Sequence, residues 1–445
     1  MKKVLFATCF LSMSAVAVSA YEQSDTLLLL GLPVVELTTA DSSDITSKTE
    51  WQRGARIRIT LPDGKTDLDT TMSIRGRGNS TWRFPKKPYY IKLDNKAAVL
   101  DMPADRRWVL LAEWMDRTLM RNGVALEIGR RTCSRWVPRG RHVNLVVNGR
   151  HKGVYFLCEK IRISRNRLDI GRLEAGDKNL SGGYILELDT YFDELHKFRS
   201  SVLNMPYMVK EPDDDELTDD ELNYIAEYVN DMEEALSSGS SCEEWLDATS
   251  FAEWWIVHEM TGNREPMHPK STYMYKVRDG RLCAGPVWDF DSGTFMPVYA
   301  HKSYAQRFIY FPWLFQQYEF LRLLCGKWAE VRSRMLDIHG YIDSVAAVLR
   351  PSEAVNAKMW PITTHVNGDE SDTFDDAVAR MHSFIDIKIP AIDQFLSQQV
   401  EGIEDHKIVN CKSVNCKLYD LTGRRLAAPP ARGVYIEERK IRLKH

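Results

Sequence analysis

The chain has 445 residues, of which 44% are hydrophobic and 27% are charged. This is an ordinary globular composition, sufficient for one large or two medium domains. The 59 basic and 62 acidic residues give a formal net charge of −3, which excludes a strong overall field toward nucleic acid or an anionic membrane.

Residues 1–20 have the pattern of an export signal. Lys2 and Lys3 precede an apolar run from Val4 to Val18, and small residues follow before Tyr21. The run is shorter than the ~20 apolar residues that a membrane span needs. The sequence therefore predicts a cleaved signal peptide over residues 1–20, no transmembrane span afterwards, and an exported protein in the periplasm, on the outer surface or outside the cell.

The cysteines show no zinc-binding pattern. Cys158 and Cys283 lie in strand-like runs and are predicted to be buried as small apolar residues. Cys411 and Cys416 are close enough in sequence for a local disulfide in an oxidising compartment.

The first half of the chain is rich in predicted strands. From Pro33 to Leu93, short apolar runs alternate with turns. Asp116 is placed to cap a helix that runs to about Arg131. The turn Asn148-Gly149 then lies between two apolar runs, which is a strong signal for a β-hairpin.

The second half is predicted to be mainly helical. Thr218 with Glu221, and Ser250 with Glu253, have the capping-box pattern at the start of a helix, and the second helix stops near Gly262. Helical periodicity dominates residues 312–396, and short strands return after Glu401. We therefore predict an α+β fold: one unit over 21–400, with a β-rich lobe at about 33–165 and a helical lobe at about 166–400, then a β tail over 401–445.

The first candidate site is a glycine-bearing turn within residues 74–82. Absent side chains at Gly76 and Gly78 would let backbone N–H groups approach an anion, although an ordinary tight turn has the same pattern. In the following run, Lys92 lies on the face opposite the apolar residues and can point into a cleft below the turn. Whether Lys92 or Lys87 takes a phosphate is left open.

A lysine in such a cleft needs a carboxylate partner to remain charged. Glu127 borders the apolar stripe of the helix that follows Asp116, which makes it a candidate partner for Lys92. A solvated helix glutamate is an equally good interpretation of Glu127.

The strongest signal is the run from Ser250 to Asp291. A helix is followed by a polar loop, then by a hairpin that turns at Asp279-Gly280, and then by Trp288-Asp289-Phe290-Asp291. Because two loops that flank one hairpin can converge, Glu265 could accept a hydroxyl proton while Asp289 and Asp291 bind Mg²⁺. A surface turn is the alternative, but the apolar residues around these carboxylates make burial costly unless a cation compensates.

Several motifs resemble the CotH spore-coat kinase family. The resemblance runs in family order from roughly Leu32 to Gln399. It is carried by residues 75–82 with 85–89, by Asp116-Arg117 with Arg121-Asn122, and by the runs 153–161, 182–189 and 285–291.

The resemblance implies an atypical protein-kinase-like two-lobed fold. For active members it also implies phosphorylation of protein serine or threonine with ATP and Mg²⁺ or Mn²⁺, so ATP and a protein substrate are the expected partners, and nucleic acid is not. Carried over by motif, Lys92 contacts the ATP phosphates and Glu159 lies in a hinge-like segment beside the adenine. The predicted catalytic residues are Glu265, Lys92 and Asp289; the cofactor-binding residues are Arg77, Gly78, Asn79, Ser80, Lys87, Lys92, Glu127 and Glu159; and the metal ligands are Asp289, Asp291 and Ser271.

Two positions depart from the family pattern. Active members carry Asn-x-Asp in the catalytic loop, where this chain has Asn263-Arg264-Glu265, and Ser271 replaces a frequent asparagine. A longer side chain displaces a base by about 1.5 Å, and a misplacement of that order can cost about 100-fold in rate. The alternative function is therefore a catalytically weak or inactive kinase-like binding protein.

The tail resembles the C-terminal β domain that serves sorting or attachment in exported Bacteroidetes proteins. The matching runs are residues 418–426, 431–436 and 440 onward. A plain structural hairpin is the alternative interpretation of this segment.

Overall fold

A computed structural model describes residues 25–213, 216–362, 367–368 and 372–408, together with four short strands between 418 and 444. The chain forms two compact units, Met1–Phe395 and Leu396–His445. The predicted signal peptide and the Cys411–Cys416 pair lie outside the described residues.

The first half of the chain forms a closed barrel of seven strands, in the order β1-β2-β3-β4-β5-β7-β6. Alternate residues such as Ile57, Ile74, Ile91 and Leu93 point inward and form its core. The predicted strands and the Asn148-Gly149 hairpin are confirmed, but closure into a barrel was not predicted. The strands are β1 (Val34–Thr38), β2 (Gln52–Thr60), β3 (Thr66–Gly76), β4 (Tyr89–Val99), β5 (Met102–Leu111), β6 (Gly140–Val147) and β7 (Arg150–Glu159).

One helix, α1 (Arg121–Thr132), lies between β5 and β6 in the chain. Buried Asp116 accepts hydrogen bonds from the backbone N of Arg121 at 2.8 Å and from its guanidinium at 3.2 Å. Asp116 therefore binds the first backbone N–H of this helix, but the N-cap position is Met120, so the prediction of Asp116 as the N-cap is wrong.

The second half contains an antiparallel five-stranded sheet in the order β12-β11-β8-β10-β9. The prediction of a helical second lobe is therefore incomplete. Strand β8 is buried at every position, so its sequence lacks the polar–apolar alternation that marks a half-exposed strand. The strands are β8 (Tyr184–Leu188), β9 (Lys197–Arg199), β10 (Pro206–Glu211), β11 (Thr272–Lys276) and β12 (Leu282–Ala284).

Further helices among the described residues follow the sheet strands or alternate with them. They are α2 (Asp219–Ser237), α3 (Ala248–Thr261), α4 (Phe311–Leu314), α5 (Tyr318–Leu336), α6 (Ile338–Met359) and α7 (Phe374–Ile408). No helix among the described residues is both long enough and apolar enough to cross a membrane.

The capping box of α2 at Thr218 and Glu221 is confirmed. The one predicted at Ser250 and Glu253 is wrong, because Asp247 caps α3 by accepting a hydrogen bond from the backbone N of Ser250 at 2.8 Å. Glu253 instead binds Ser134 and pairs with Lys327. Helix α3 ends as predicted at Gly262, whose φ is +63°.

The buried positions agree with one further prediction. Cys158 and Cys283 are both buried. In the tail, strands β13 (Leu418–Asp420), β14 (Arg425–Leu426), β15 (Gly433–Glu437) and β16 (Lys440–Lys444) form an antiparallel sheet. The tail is not β-structured from residue 401 as predicted, because helix α7 continues to Ile408.

Candidate functional site

A cleft with a volume of about 370 Å³ lies beside the barrel. Its walls come from the turn after β3, the segment after β5, strands β8 and β10, and the loops that follow α3 and β12. Residues far apart in the sequence therefore contribute side chains to one polar cavity.

The turn after β3 is held in one conformation. A side chain on Gly76 would come within 2.3 Å of the Trp82 ring, and Gly78 has a φ of +82°. Lys48 Nζ donates to the carbonyl of Gly78 at 2.8 Å and to Asn79 Oδ1 at 3.0 Å. Four predicted cofactor-binding residues from this turn line the cleft: Arg77, Gly78, Asn79 and Ser80.

Glu265, Asp289 and Asp291 line the same cleft, as the two-loop argument predicted. Asp289 adopts a left-handed conformation with φ +65°. Its backbone carbonyl accepts a hydrogen bond from Asn263 at 3.3 Å, and the next backbone N, of Phe290, donates to Asn122 at 2.8 Å. Two buried asparagines therefore fix the loop that carries both aspartates.

The clustered carboxyl groups disfavour one another's ionisation. Burial and the nearby Asp289 raise the pKa of Asp291 to about 8. Burial and the two aspartates raise the pKa of Glu265 to about 9, and burial also raises that of Glu113 well above its usual value. Without a cation, this cluster therefore retains protons at neutral pH, and a divalent cation would relieve the repulsion.

The carboxylates of the cleft fit a magnesium ion that is shared between the protein and a bound phosphate. Among the described residues, no group of three or more His, Cys, Asp or Glu side chains is arranged to hold a metal. Mg²⁺, however, is commonly held by one or two carboxylates, with phosphate oxygens and water completing its shell. Asp289 and Asp291 provide such a pair, and Ser271 also lines the cleft.

Ser271 is held by a residue to which the sequence analysis gave no role. Asp189, at the end of β8, accepts a hydrogen bond from the backbone N of Ser271 at 3.1 Å. Burial, reinforced by Glu187, raises the pKa of Asp189 to about 6. Asp189 closes the run 182–189 that carried part of the family resemblance, so a sequence signal for it existed.

Lys86 and Glu113 were also missed. Lys86 is fully buried, and its Nζ donates to the carbonyl of Val154 at 2.5 Å and to Asn356 Oδ1 at 2.9 Å. Burial lowers its pKa to about 7, an effect that Glu113 opposes. Glu113 in turn accepts a hydrogen bond from Asn122 at 3.0 Å. Lys86 belongs to the run 85–89 that resembles the family, so a sequence signal for it existed. Glu113 lies outside every motif.

The structure does not bring Lys92 into the cleft. Ile91 and Leu93 face the barrel core as predicted, so Lys92 points outward, but it lines a separate cavity with Trp51 and Arg106. On the paired strand, Arg75 lies opposite Tyr90 and lines the cleft, whereas Ser73 lies opposite Lys92. Along the strand, Lys92 is thus two residues, or about 7 Å, farther from the cleft than Tyr90.

Three other predicted cofactor residues are absent from the cleft walls. Glu127 pairs with Arg130 and Arg131 on its own helix, one turn away, rather than with Lys92. Glu159 is buried and pairs with Arg167 at 2.5 Å and with Arg139 at 3.2 Å. Lys87 Nζ donates to the carbonyl of Trp82 at 2.7 Å, so it stabilises the turn without facing the cleft.

The fold and this cleft define a class of protein: a mixed α and β protein that gathers loop carboxylates and a glycine turn in one polar cleft. The comparison with family models gives the particular family. The model described as CotH kinase protein matches residues 74–388, well over half of the chain, and the protein belongs to this family. A search of curated proteins found no match.

Proposed function

We propose that the protein is an exported atypical kinase of two-lobed architecture that transfers a phosphoryl group from ATP to serine or threonine of a protein substrate. Membership of the CotH family supports a kinase-like activity. The observation that carries the proposal is the convergence of Glu265 with Asp289 and Asp291 in one cleft with the glycine turn.

Each part of the cleft has a proposed role. Asp289 and Asp291 would hold Mg²⁺ or Mn²⁺, which when bound supplies neutralisation of the phosphate charge. The backbone of the Gly78 turn and the Arg77 side chain bind phosphate oxygens, and Glu265 accepts the hydroxyl proton. Other cations of the cleft replace Lys92 in this scheme: Lys48, Arg75, Lys86, Lys210 and Lys270.

The test is transfer of labelled phosphate. Purified protein is incubated with labelled ATP, Mg²⁺ or Mn²⁺, and casein-like or self substrate, beside the variants Asp289→Ala and Asp94→Ala. Asp94 lines the separate cavity that contains Lys92, so its variant is a matched control. We expect label on the wild type and on Asp94→Ala only. Equal label on Asp289→Ala would contradict the proposal.

A specific observation favours a second candidate, nucleotide and metal binding without turnover. Burial is the largest cause that raises the pKa of Glu265 to about 9, and a cation that relieves repulsion from the two aspartates leaves this burial in place. A carboxyl group that stays protonated cannot accept a proton. Calorimetric titration with ATP and metal separates the two candidates. Heat of binding without phosphate transfer supports the second, and the absence of both heat and a thermal shift excludes both.

Export is part of the proposal and rests on the pattern of residues 1–20. Mass spectrometry of the protein recovered from cell fractions tests it. We expect a mature N-terminus at Tyr21 in an exported fraction; intact residues 1–20 in the cytoplasm would contradict export.

A further inference from the structure

Two histidines outside the cleft face each other across helices α6 and α7. The Nδ1 atoms of His339 and His382 are 2.6 Å apart, and the ring planes differ by only 11° with ring centres 4.9 Å apart, so the two rings meet edge to edge through these nitrogens. Each histidine is followed four residues later by an aspartate, Asp343 or Asp386, on the same face of its own helix.

Each aspartate holds the histidine of the opposite helix. His339 Nε2 lies 3.2 Å from Asp386 Oδ1, and His382 Nε2 lies 3.0 Å from Asp343 Oδ1. The result is a continuous chain, Asp386–His339–His382–Asp343. The two rings are roughly three-quarters buried, whereas the two carboxylates are largely exposed.

These contacts require a definite number of protons. Each Nε2 must carry a proton to donate to its aspartate, and one further proton must lie between the two Nδ1 atoms. Three protons on four ring nitrogens mean that the pair carries one positive charge. With only two protons on the ring nitrogens, one of the three hydrogen bonds cannot form. With four protons, both Nδ1 atoms carry a hydrogen and repel each other.

A metal ion would satisfy the same contacts without the shared proton. Both Nδ1 lone pairs would then bind the metal while both Nε2–H groups donate to carboxylates. This carboxylate–histidine–metal arrangement orients ligating imidazoles and increases their basicity. Imidazole nitrogen suits Zn²⁺, Ni²⁺ and Cu²⁺ rather than Mg²⁺.

We propose that His339 and His382 form a binding site for a divalent transition-metal ion, coordinated by their two Nδ1 atoms. Since no group of three or more ligating side chains occurs among the described residues, water completes the shell. Two Zn–N bonds of about 2.0–2.1 Å at a tetrahedral angle require the two Nδ1 atoms to separate by less than about 1 Å and both rings to tilt toward the ion. On binding, two metal–nitrogen bonds form, one N–H bond breaks, and its proton leaves to solvent.

A metal ion bound by both histidines would link helices α6 and α7. Buried residues next to each histidine, Ile342 and Ile385, anchor the two helices, so the rings are already close before metal binds. The site is separate from the cleft and does not depend on the proposed phosphoryl transfer.

The experiment is calorimetric titration of the untagged full chain, freed of metal, with Zn²⁺ in excess Mg²⁺. The excess Mg²⁺ occupies the carboxylates of the cleft, and an untagged chain avoids binding by a histidine tag. The variants are His382→Gln, Asp343→Asn and, as a matched control, exposed His301→Gln.

We expect His382→Gln to bind one equivalent of Zn²⁺ fewer than the wild type, and His301→Gln to be unchanged. Asp343→Asn keeps both ligands and should bind about 10- to 100-fold more weakly. Titration in buffers of different ionisation enthalpy should show about one proton released per ion at this site. Equal Zn²⁺ binding by the wild type and His382→Gln overturns the proposal.

A spectroscopic measurement keeps the test valid if a variant fails to fold. In the wild type, long-range ¹H–¹⁵N spectra of the imidazoles should show Zn²⁺-dependent shifts at two Nδ1 atoms with both Nε2 atoms protonated. The absence of these shifts at saturating Zn²⁺ overturns the proposal as well.

Discussion

Gly76 shows how little room the turn at the cleft leaves for a side chain. A Cβ there would lie 2.3–2.4 Å from two carbons of the Trp82 ring. Gly76→Ala should therefore force Trp82 to move and lower the free energy of unfolding by about 1–3 kcal/mol. Urea unfolding at equilibrium measures the change.

Gly326 is the matched control for this substitution. It lies in the exposed part of α5, and apart from its chain neighbours and the nearby backbone of its own helix no atom lies within 4 Å of a Cβ built there. Gly326→Ala should stabilise the protein by about 0.5–1 kcal/mol, because alanine favours the helix. If Gly76→Ala left the free energy of unfolding unchanged or raised it, the close approach at Gly76 would be refuted.

The position of the Glu265 carboxyl group is the second question at the scale of single residues. If the protein turns over slowly because this side chain is one methylene too long, Glu265→Asp should raise the rate of phosphate transfer, by up to about 100-fold. Glu265→Gln, which cannot accept a proton, should lower it. Steady-state assays of both variants measure the effect, and a slower Glu265→Asp enzyme would contradict this explanation.

At the scale of elements, Lys86 and Asn356 join the barrel to α6. Asn356 Oδ1 accepts hydrogen bonds from Lys86 Nζ at 2.9 Å and from the backbone N of Val154 at 3.1 Å. Asn356→Ala leaves a buried ammonium and a buried N–H without this acceptor. It should destabilise the protein by about 2–4 kcal/mol in urea unfolding.

Asn166→Ala is the control for the Asn356 prediction. Asn166 also makes a side-chain hydrogen bond to a backbone group, the carbonyl of Ala104 at 2.9 Å, but it is exposed. Water can replace that bond, so we expect a loss below about 1 kcal/mol. Equal losses in the two variants would show that burial of Asn356 is unimportant.

At the scale of the whole molecule, the cleft carboxyl groups make stability depend on pH. The folded protein keeps protons on Asp291, with a pKa of about 8, and on Glu265, with a pKa of about 9, whereas the unfolded chain loses them near pH 4 to 5. Their contribution is complete below about pH 4 and is lost as the pH rises through 8 and 9.

The metal-free protein should therefore become less stable between pH 5 and pH 9. Each such group contributes up to about 1.4 kcal/mol per pH unit. Urea unfolding in the presence of EDTA measures the slope, which Asp291→Asn should reduce. Excess Mg²⁺ should also reduce it, because the ion takes the place of the protons. A free energy of unfolding that rises over this range would contradict the carboxyl cluster.

The local features of the chain were predictable because they depend on neighbours in the sequence. The capping box at Thr218, the end of α3 at Gly262 and the inward direction of Ile91 and Leu93 follow from short-range hydrogen bonding and strand alternation. The prediction that Glu265 and Asp289 meet rested on two loops flanking one hairpin. The CotH family could also be indicated from the sequence, because its motifs occur along the chain in family order.

The tertiary structure alone decided which charged side chains share the cleft. Lys92 has the predicted strand face, yet it lies two residues farther along β4 than Tyr90, which pairs with the cleft residue Arg75. Glu113 and Asp189 entered the site from segments distant in the sequence. Periodicity reports the face on which a side chain lies. Two loops joined by one hairpin can be predicted to converge, but the convergence of elements distant in the sequence depends on long-range packing.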